Sequence, residues 1–115
     1  MNQEFELYNL TVSVAGDPAT FVCNHTVGDA FSVVGEDLIF NTGRDRFSMY
    51  TLSALLPLLP AKQRATTAAD WMTTDQAIAC PDPLCGATFV ITRGEKSTFN
   101  HDDVTKVPMP DGDAS

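Results

Sequence analysis

Residues 80–86 have the sequence Cys-Pro-Asp-Pro-Leu-Cys-Gly and run directly into Ala-Thr-Phe-Val-Ile-Thr-Arg at residues 87–93. The second segment has apolar side chains at alternate positions, a pattern that is typical of a half-buried β-strand. Two prolines restrict the backbone of the first segment. Together the two segments predict a rigid loop that places Cys80 and Asp82 at the edge of a β-sheet.

The flanking sequence predicts an α+β fold, with a small antiparallel sheet of four to five strands and one main apolar helix packed on it. Strands are predicted at residues 4–15, 30–34, 38–40, 76–80 and 87–93, with a short extended piece at 19–23. The apolar positions of the first strand change faces near Tyr8, which predicts either a β-bulge there or a strand that is buried on both faces.

The main helix is predicted to begin at Asp45 or Ser48, because either side chain can accept a hydrogen bond from the free amides of a first helical turn. Apolar residues then recur at helical spacing. Pro57 removes a backbone donor within this run, so we expect a kink or an early end there. A second, short helix is predicted at residues 66–71.

The length and charge of the chain limit the classes of function. A chain of 115 residues with 43% hydrophobic residues fits one domain, predicted at residues 1–94 and followed by an acidic, proline-containing tail at 95–115. The net charge of −8 repels phosphate backbones. Nucleic acids and anionic membranes are therefore poor partners.

Cysteine usage and the N-terminal sequence both favour the cytoplasm. The three cysteines cannot all pair internally, which suits a reducing compartment. Glu4 and Glu6 occupy positions at which a signal peptide would have its basic region and apolar run. The longest apolar run, residues 54–61, is too short to span a bilayer and contains two prolines.

The three cysteines and one histidine suggest a metal site as one alternative. Cys23, His25, Cys80 and Cys85 together could supply the four ligands of a Cys₃His zinc site. Cys80 and Cys85 are separated by four residues, two of them prolines, which differs from the usual zinc knuckle. The competing interpretation treats Cys23 and Cys80 as small buried apolar side chains. Zinc is therefore the alternative to a site without a cofactor.

A second interpretation assigns catalysis to the same loop. Cys80 or Cys85 would be a nucleophile or general acid if a nearby positive charge lowers its pKa, and His25 is the imidazole predicted to serve it. Asp82 would orient that imidazole or act as a base. An aspartate between two prolines also suits a plain turn, in which its side chain bonds nearby backbone amides.

Four further residues are predicted to bind a ligand: Trp71, Tyr50, Arg44 and Arg46. Two arginines at the start of a helix oppose its dipole unless an anion, such as a carboxylate, is bound there. The alternatives are a tryptophan that fills the core and arginines that extend to solvent or pair with nearby aspartates.

Several of these features occur together: Cys23, His25, the triplet Val27-Gly28-Asp29, Phe31, the Leu/Pro-rich helix, Trp71, and Cys80-Pro81-Asp82-Pro83 before Phe89. In this combination the chain resembles a family of small uncharacterised prokaryotic proteins, known only as a "repeat protein" family because some members carry the domain twice. The resemblance spans residues 12–93 and implies a single-copy α+β member, but no particular activity. The family tends to have a Cys-Pro pair where this chain has Ser48-Met49, which leaves Cys23 and Cys80 as the shared thiols.

The function predicted from these residues is the binding of a small organic molecule near the Cys-Pro-Asp-Pro loop. If the protein is an enzyme, proton transfer or a lyase or isomerase step without a cofactor suits the available groups, because the sequence has no motif for a redox cofactor. The alternatives are a zinc-stabilised domain and a non-catalytic accessory subunit that docks on a larger partner. The apolar helix also predicts a homo-oligomer, such as a dimer.

Overall fold

The computed structural model describes residues 2–28, 30–40 and 46–110. These residues form a five-stranded antiparallel sheet with the order β3-β2-β1-β5-β4. The strands are β1 (Glu4–Ala15), β2 (Ala30–Val34), β3 (Asp37–Ile39), β4 (Ala77–Ala79) and β5 (Thr88–Asn100). The helices are α1 (Met49–Leu55), α2 (Leu59–Lys62), α3 (Trp71–Thr74) and α4 (His101–Val104), and a 3₁₀ turn spans Pro18–Thr20. The predicted α+β fold class is confirmed.

The bulge predicted near Tyr8 is also confirmed. Tyr8 pairs with Lys96 and Leu10 pairs with Arg93, so one residue of β1 lies opposite two residues of β5. The extra residue lies in β5, and on β1 both Leu7 and Leu10, which are three positions apart, are buried. β1 pairs with β2 on one side and β5 on the other, and it contributes a continuous row of side chains to the core.

The start and end of the main helix follow the sequence prediction. The Oγ of Ser48 accepts a hydrogen bond from the Thr51 N–H at 3.4 Å, and α1 begins at the next residue. The helix ends at Leu55, and α2 starts only at Leu59. The interruption expected at Pro57 is therefore present.

The burial of α1 is less complete than its composition suggests. Thr51 and Leu55 are buried, whereas Met49 and Tyr50 are 72% and 74% exposed. A helix of two turns presents only a narrow stripe to the core. The apolar helix predicted to pack on the sheet is therefore exposed at two residues of its first turn.

Two short elements differ from the prediction because an aspartate caps each of them. The Asp70 side chain accepts a hydrogen bond from the Met72 N–H, so α3 begins after it and lies C-terminal to the predicted helix. The Asp17 side chain accepts one from the Ala19 N–H and starts the 3₁₀ turn. Residues 19–23 are consequently not extended throughout.

β5 runs past the end that the sequence predicts. The local pattern predicts an end at Gly94, but the strand continues to Asn100 and pairs with residues 4–8 of β1. Phe99 stacks on Phe5 across this pairing, with ring centroids 5.6 Å apart. The polar stretch is a strand because β1 extends beside it, and this long-range pairing is not contained in the local pattern.

Two cationic side chains hold the segment after α2. Lys62 is only 1% exposed, and its Nζ donates hydrogen bonds to the carbonyl oxygens of Met72, at 2.9 Å, and Asp75. Arg93 donates from Nε to the Lys62 carbonyl at 2.7 Å and from Nη2 to the Arg64 carbonyl at 2.8 Å. Lys62 and Arg93, named here the cation pair, tie α2 to the end of α3 and to β5.

Candidate metal centre

The structure brings all three cysteines together. Cys23 lies between the 3₁₀ turn and β2, Cys80 directly follows β4, and Cys85 lies in the loop before β5. Their Sγ atoms all lie within 4.8 Å of one another, and those of Cys23 and Cys85 are 3.6 Å apart. We call these three side chains the cysteine cluster. Among residues 2–28, 30–40 and 46–110, it is the one group of three or more potential metal ligands that is this compact.

Backbone hydrogen bonds fix the loop that carries two of these thiols. The Cys80 N–H donates to the Ala87 carbonyl at 3.1 Å, which closes the loop where β4 ends. Within the loop, the Cys85 N–H donates to the Asp82 carbonyl at 3.0 Å, and the Leu84 N–H donates to Asp82 Oδ1 at 2.9 Å. Asp82 therefore has the turn role that the sequence offered as one alternative.

A glycine allows the two cysteine-bearing loops to approach each other. The Gly86 N–H donates to the Thr20 carbonyl at 3.0 Å. A Cβ atom at position 86 would lie 1.9 Å from the Oγ1 of Thr20, far inside van der Waals contact. Any side chain at this position would therefore push the loop of Cys85 away from the loop of Cys23.

Backbone N–H groups converge on the three sulfur atoms. Each sulfur accepts a hydrogen bond from the residue two positions further along the chain: Cys23 from His25, Cys80 from Asp82, and Cys85 from Ala87. Cys85 accepts two more, from the Cys23 N–H and from the Val22 N–H at 3.3 Å. Such donors favour the thiolate over the thiol, because they stabilise negative charge on sulfur.

The three thiols differ in acidity. Burial raises the pKa of Cys80 to about 11 and also raises the pKa of Cys23. Burial acts to raise the pKa of Cys85 as well, but its backbone donors and the Cys80 thiol outweigh that effect and lower this pKa to about 6. At neutral pH the cluster therefore holds a thiolate on Cys85. Of the two cysteines that the sequence offered as a nucleophile, Cys85 is the one prepared as a thiolate.

His25 lies apart from the cysteine cluster. Its side chain is buried, and its ring centroid lies 4.4 Å from that of Phe47 and 5.2 Å from that of Phe89. The backbone turn that brings the His25 N–H to the Cys23 sulfur leaves the imidazole among the core aromatics. Of the predicted Cys₃His set, the three cysteines come together and the imidazole does not join them.

A cleft of about 390 Å³ opens beside the cluster. Nine residues from three segments of the chain line it: Val22, Cys23, Asn24, Ser48, Tyr50, Thr51, Cys80, Pro81 and Asp82. Cys80, Asp82 and Tyr50 were predicted as site residues. Asn24, Ser48 and Thr51 were not, and for the last two the sequence indicates only a helix start. Their place in the cleft depends on where α1 packs.

Trp71 and Arg46, which were also predicted to bind a ligand, do not line this cleft. Trp71 is 77% exposed at the start of α3, so it is not the core residue that its rarity suggested. Arg46 is exposed. Arg44 lies outside the described residues, so its predicted role stays a prediction.

Comparison with family models, curated proteins and solved structures finds no match to this chain. The resemblance to the prokaryotic repeat-protein family accordingly stays a prediction. Among the described residues, no helix is long and apolar enough to cross a membrane.

Proposed function

We propose that this protein is a metal-binding domain in which Cys23, Cys80 and Cys85 hold one thiophilic divalent ion, with zinc as the first choice. The observation that carries the proposal is the compactness of the cysteine cluster, whose sulfur atoms all lie within 4.8 Å of one another. Thiolates select zinc among the common divalent ions, whereas oxygen ligands suit magnesium and calcium.

The sulfur separations support a tetrahedral ion. A zinc–sulfur bond of about 2.3 Å in tetrahedral geometry places neighbouring sulfur atoms about 3.8 Å apart. The separation of 3.6 Å between the sulfur atoms of Cys23 and Cys85 is close to that value. A disulfide needs about 2.0 Å. Small side-chain rotations are therefore enough to complete three corners of the tetrahedron.

The surroundings of the sulfur atoms support the same proposal. Hydrogen bonds from the N–H groups of His25, Asp82 and Ala87 would balance part of the negative charge of three thiolates around one ion. Metal binding at neutral pH must displace the protons of Cys23 and Cys80, because the pKa of each is raised. The affinity is therefore expected to increase with pH.

A bound ion would also cross-link two distant parts of a small domain. Cys23 and Cys85 are 62 positions apart, and the ion would join the segment after the 3₁₀ turn to the loop between β4 and β5. Small domains bury little apolar surface, so such a link adds a useful share of their stability. A reducing, cytoplasmic setting, in which free thiols persist, belongs to this proposal.

A second candidate function is the binding of a small organic molecule in the cleft, with or without a proton-transfer step. The observation that favours it is the presence of Cys80, Asp82 and Tyr50 around a single cleft next to the Cys85 thiolate. In this case the metal-free protein would bind ligand, and Cys80→Ser would weaken ligand binding without changing any metal content.

Metal content tests the first proposal directly. The full chain, purified anaerobically with a reductant, is expected to retain about one zinc by elemental analysis and to bind Co²⁺ with sulfur-to-metal charge-transfer absorption. Each of the variants C23S, C80S and C85S should weaken binding by at least about 100-fold, more than the loss of an outer-shell partner does.

His101→Ala is the matched control, because His101 is a metal-binding side chain type that lies outside the cysteine cluster. This variant should bind the ion as the parent protein does. A purified protein without metal that also fails to bind Co²⁺, or cysteine variants that bind as well as the parent, would rule out the metal site.

A further inference from the structure

We propose that a small molecule with one thiol and one positively charged group, an aminothiol, binds in the cleft and donates its sulfur to the fourth position of the metal ion. This inference rests on the proposed function, and it names the chemical class of the ligand. The first observation that supports it is the number of protein ligands in the cysteine cluster. The compact group contains three thiols, and no further His, Cys, Asp or Glu of the described residues belongs to it.

Three protein ligands are typical of zinc sites that keep one position for an exogenous ligand, whereas structural zinc sites are closed by a fourth protein ligand. His25, which the sequence offered as that fourth ligand, packs against Phe47 and Phe89 instead. The ion in the cysteine cluster would therefore have one position that no His, Cys, Asp or Glu of residues 2–28, 30–40 and 46–110 fills.

The cleft gives that position an access route of suitable size. Two of the three thiols, Cys23 and Cys80, line it directly. Its volume of about 390 Å³ falls in the range of small-molecule sites. Side-chain amide and hydroxyl groups of Asn24, Ser48 and Tyr50 line the remainder, so a small polar molecule would find hydrogen-bonding partners there.

The charges around the cleft select among possible ligands. A divalent ion with three thiolates carries a net charge of −1, and Asp82 is the one ionisable side chain besides cysteine and tyrosine that lines the cleft. An anionic ligand would meet negative charge on both sides, whereas an ammonium group would lie near the Asp82 carboxylate. The thiol of the ligand would lose its proton to solvent, and its sulfur would replace a water molecule at the fourth position of the ion, with no change in oxidation state.

Titration of the Co²⁺-loaded full chain with three small thiols tests this inference. Cysteamine, 2-mercaptoethanol and mercaptoacetate each offer one thiol but carry a positive, neutral and negative second group. We expect saturable changes in the cobalt absorption bands, with cysteamine binding about two- to five-fold more tightly than 2-mercaptoethanol, as befits a solvent-accessible ion pair. Mercaptoacetate should bind most weakly.

Asp82→Asn separates the charge effect from the shape of the loop. The variant retains a side-chain oxygen to accept the hydrogen bond of the Leu84 N–H, and the backbone N–H that reaches Cys80 is unchanged. In this variant the preference for cysteamine over 2-mercaptoethanol should fall to within about twofold, because the ion pair is lost. Mercaptoacetate should still bind more weakly than the neutral thiol, because the ion with its three thiolates keeps its negative charge.

The outcomes distinguish the two proposals. Metal content is measured on every sample after the titration, so that removal of cobalt by a thiol is not mistaken for binding. Cobalt that stays bound with a spectrum unmoved by all three thiols would overturn the ligand inference and leave the metal site standing. Equal binding of cysteamine and 2-mercaptoethanol by the parent protein, or a preference for cysteamine that survives undiminished in Asp82→Asn, would overturn the ligand class. A chain that takes up no cobalt would overturn both proposals.

Discussion

The cation pair and the cysteine cluster are both partly buried polar groups in a small domain, but one contributes hydrogen-bond donors from its side chains and the other contributes acceptors. In the cation pair, side-chain donors end on backbone carbonyls: Lys62 reaches those of Met72 and Asp75. In the cysteine cluster, backbone donors end on side-chain sulfur atoms. In the cation pair, the carbonyl oxygens that accept these hydrogen bonds place partial negative charge next to the cations. The cysteine cluster accumulates N–H groups around sulfur and so favours negative charge at a place where a cation can bind.

The pKa values reflect this difference. Burial, together with the nearby charge of Arg93, lowers the pKa of Lys62, and the carboxylates of Asp75 and Asp70 offset this only in part. Burial likewise disfavours the thiolate of Cys85, but the converging donors outweigh it. We infer that the cation pair stabilises the fold, whereas the cysteine cluster has a binding function in addition.

The largest effect on stability is expected from Lys62→Met, which breaks the cation pair alone. Methionine keeps most of the apolar stem but leaves two partly buried carbonyls without their donor. The free energy of unfolding should fall by about 3 kcal/mol in urea denaturation, since each unsatisfied carbonyl costs about 1–3 kcal/mol.

Lys106→Met is the matched control, because Lys106 is exposed and its Nζ reaches only the Asp102 carbonyl at 3.3 Å. It should change stability by less than about 0.5 kcal/mol. The metal content of Lys62→Met should equal that of the parent protein. A loss of metal binding in a folded Lys62→Met would mean that the two clusters are not independent.

Gly86→Ala should act on the cysteine cluster alone and have a smaller effect on stability. The added Cβ would lie 1.9 Å from Thr20 Oγ1, so the two loops must separate, at a cost of about 1–3 kcal/mol. The affinity for Co²⁺ should fall with it, because Cys85 moves away from Cys23.

A second substitution, at Thr20, tests whether the steric clash is the cause of the lost affinity. Thr20→Gly removes both the Oγ1 and the Cβ against which the new methyl group collides. The double variant should recover most of the Co²⁺ affinity lost by Gly86→Ala. If the double variant binds no better than the single one, loop separation is not the cause of the loss.

The third prediction concerns the acidity of the thiols in the metal-free protein. Alkylation of Cys85 should rise with pH around a midpoint of about 6 and level off above neutrality, because the thiolate is the reactive form. Alkylation of an ordinary cysteine has its midpoint at a pH of about 8.5. Cys80, whose pKa is about 11, should remain unlabelled at pH 7.

Mass spectrometry of digested protein locates the label, and Cys85→Ser is the control that should remove the low-pH phase. Equal labelling of all three thiols at pH 6, or a single midpoint near that of a free thiol, would show that the backbone donors do not set the acidity of Cys85.

Local sequence patterns predicted those parts of the fold that depend on interactions between neighbouring residues. The face switch near Tyr8, the Ser48 cap and the break at Pro57 each depend on a few neighbouring residues, and all three are present. The end of β5 could not be predicted this way. Polar residues such as Glu95 and Ser97 are held in a strand by β1, which is distant in sequence.

The sequence predicted which types of residue form the candidate site, but not which individual residues come together there. The sequence identified Cys23, Cys80 and Cys85 as possible ligands, yet it also included His25, which is only two positions from Cys23. At that separation the backbone decides which group reaches the sulfur, and in this fold it is the N–H of His25 rather than its ring. The spacing of residues in the sequence does not show whether the N–H group or the imidazole of His25 reaches the sulfur.

X-ray absorption at the metal edge of the zinc-loaded, full-length protein tests the central claim most directly, because it counts the sulfur atoms around the ion. We predict three sulfur neighbours at about 2.3 Å and one lighter atom at about 2.0 Å in the absence of added thiol. Addition of cysteamine should increase the sulfur count to four. A first shell of nitrogen and oxygen only, or one unchanged by Cys80→Ser, would contradict a metal centre built on the cysteine cluster.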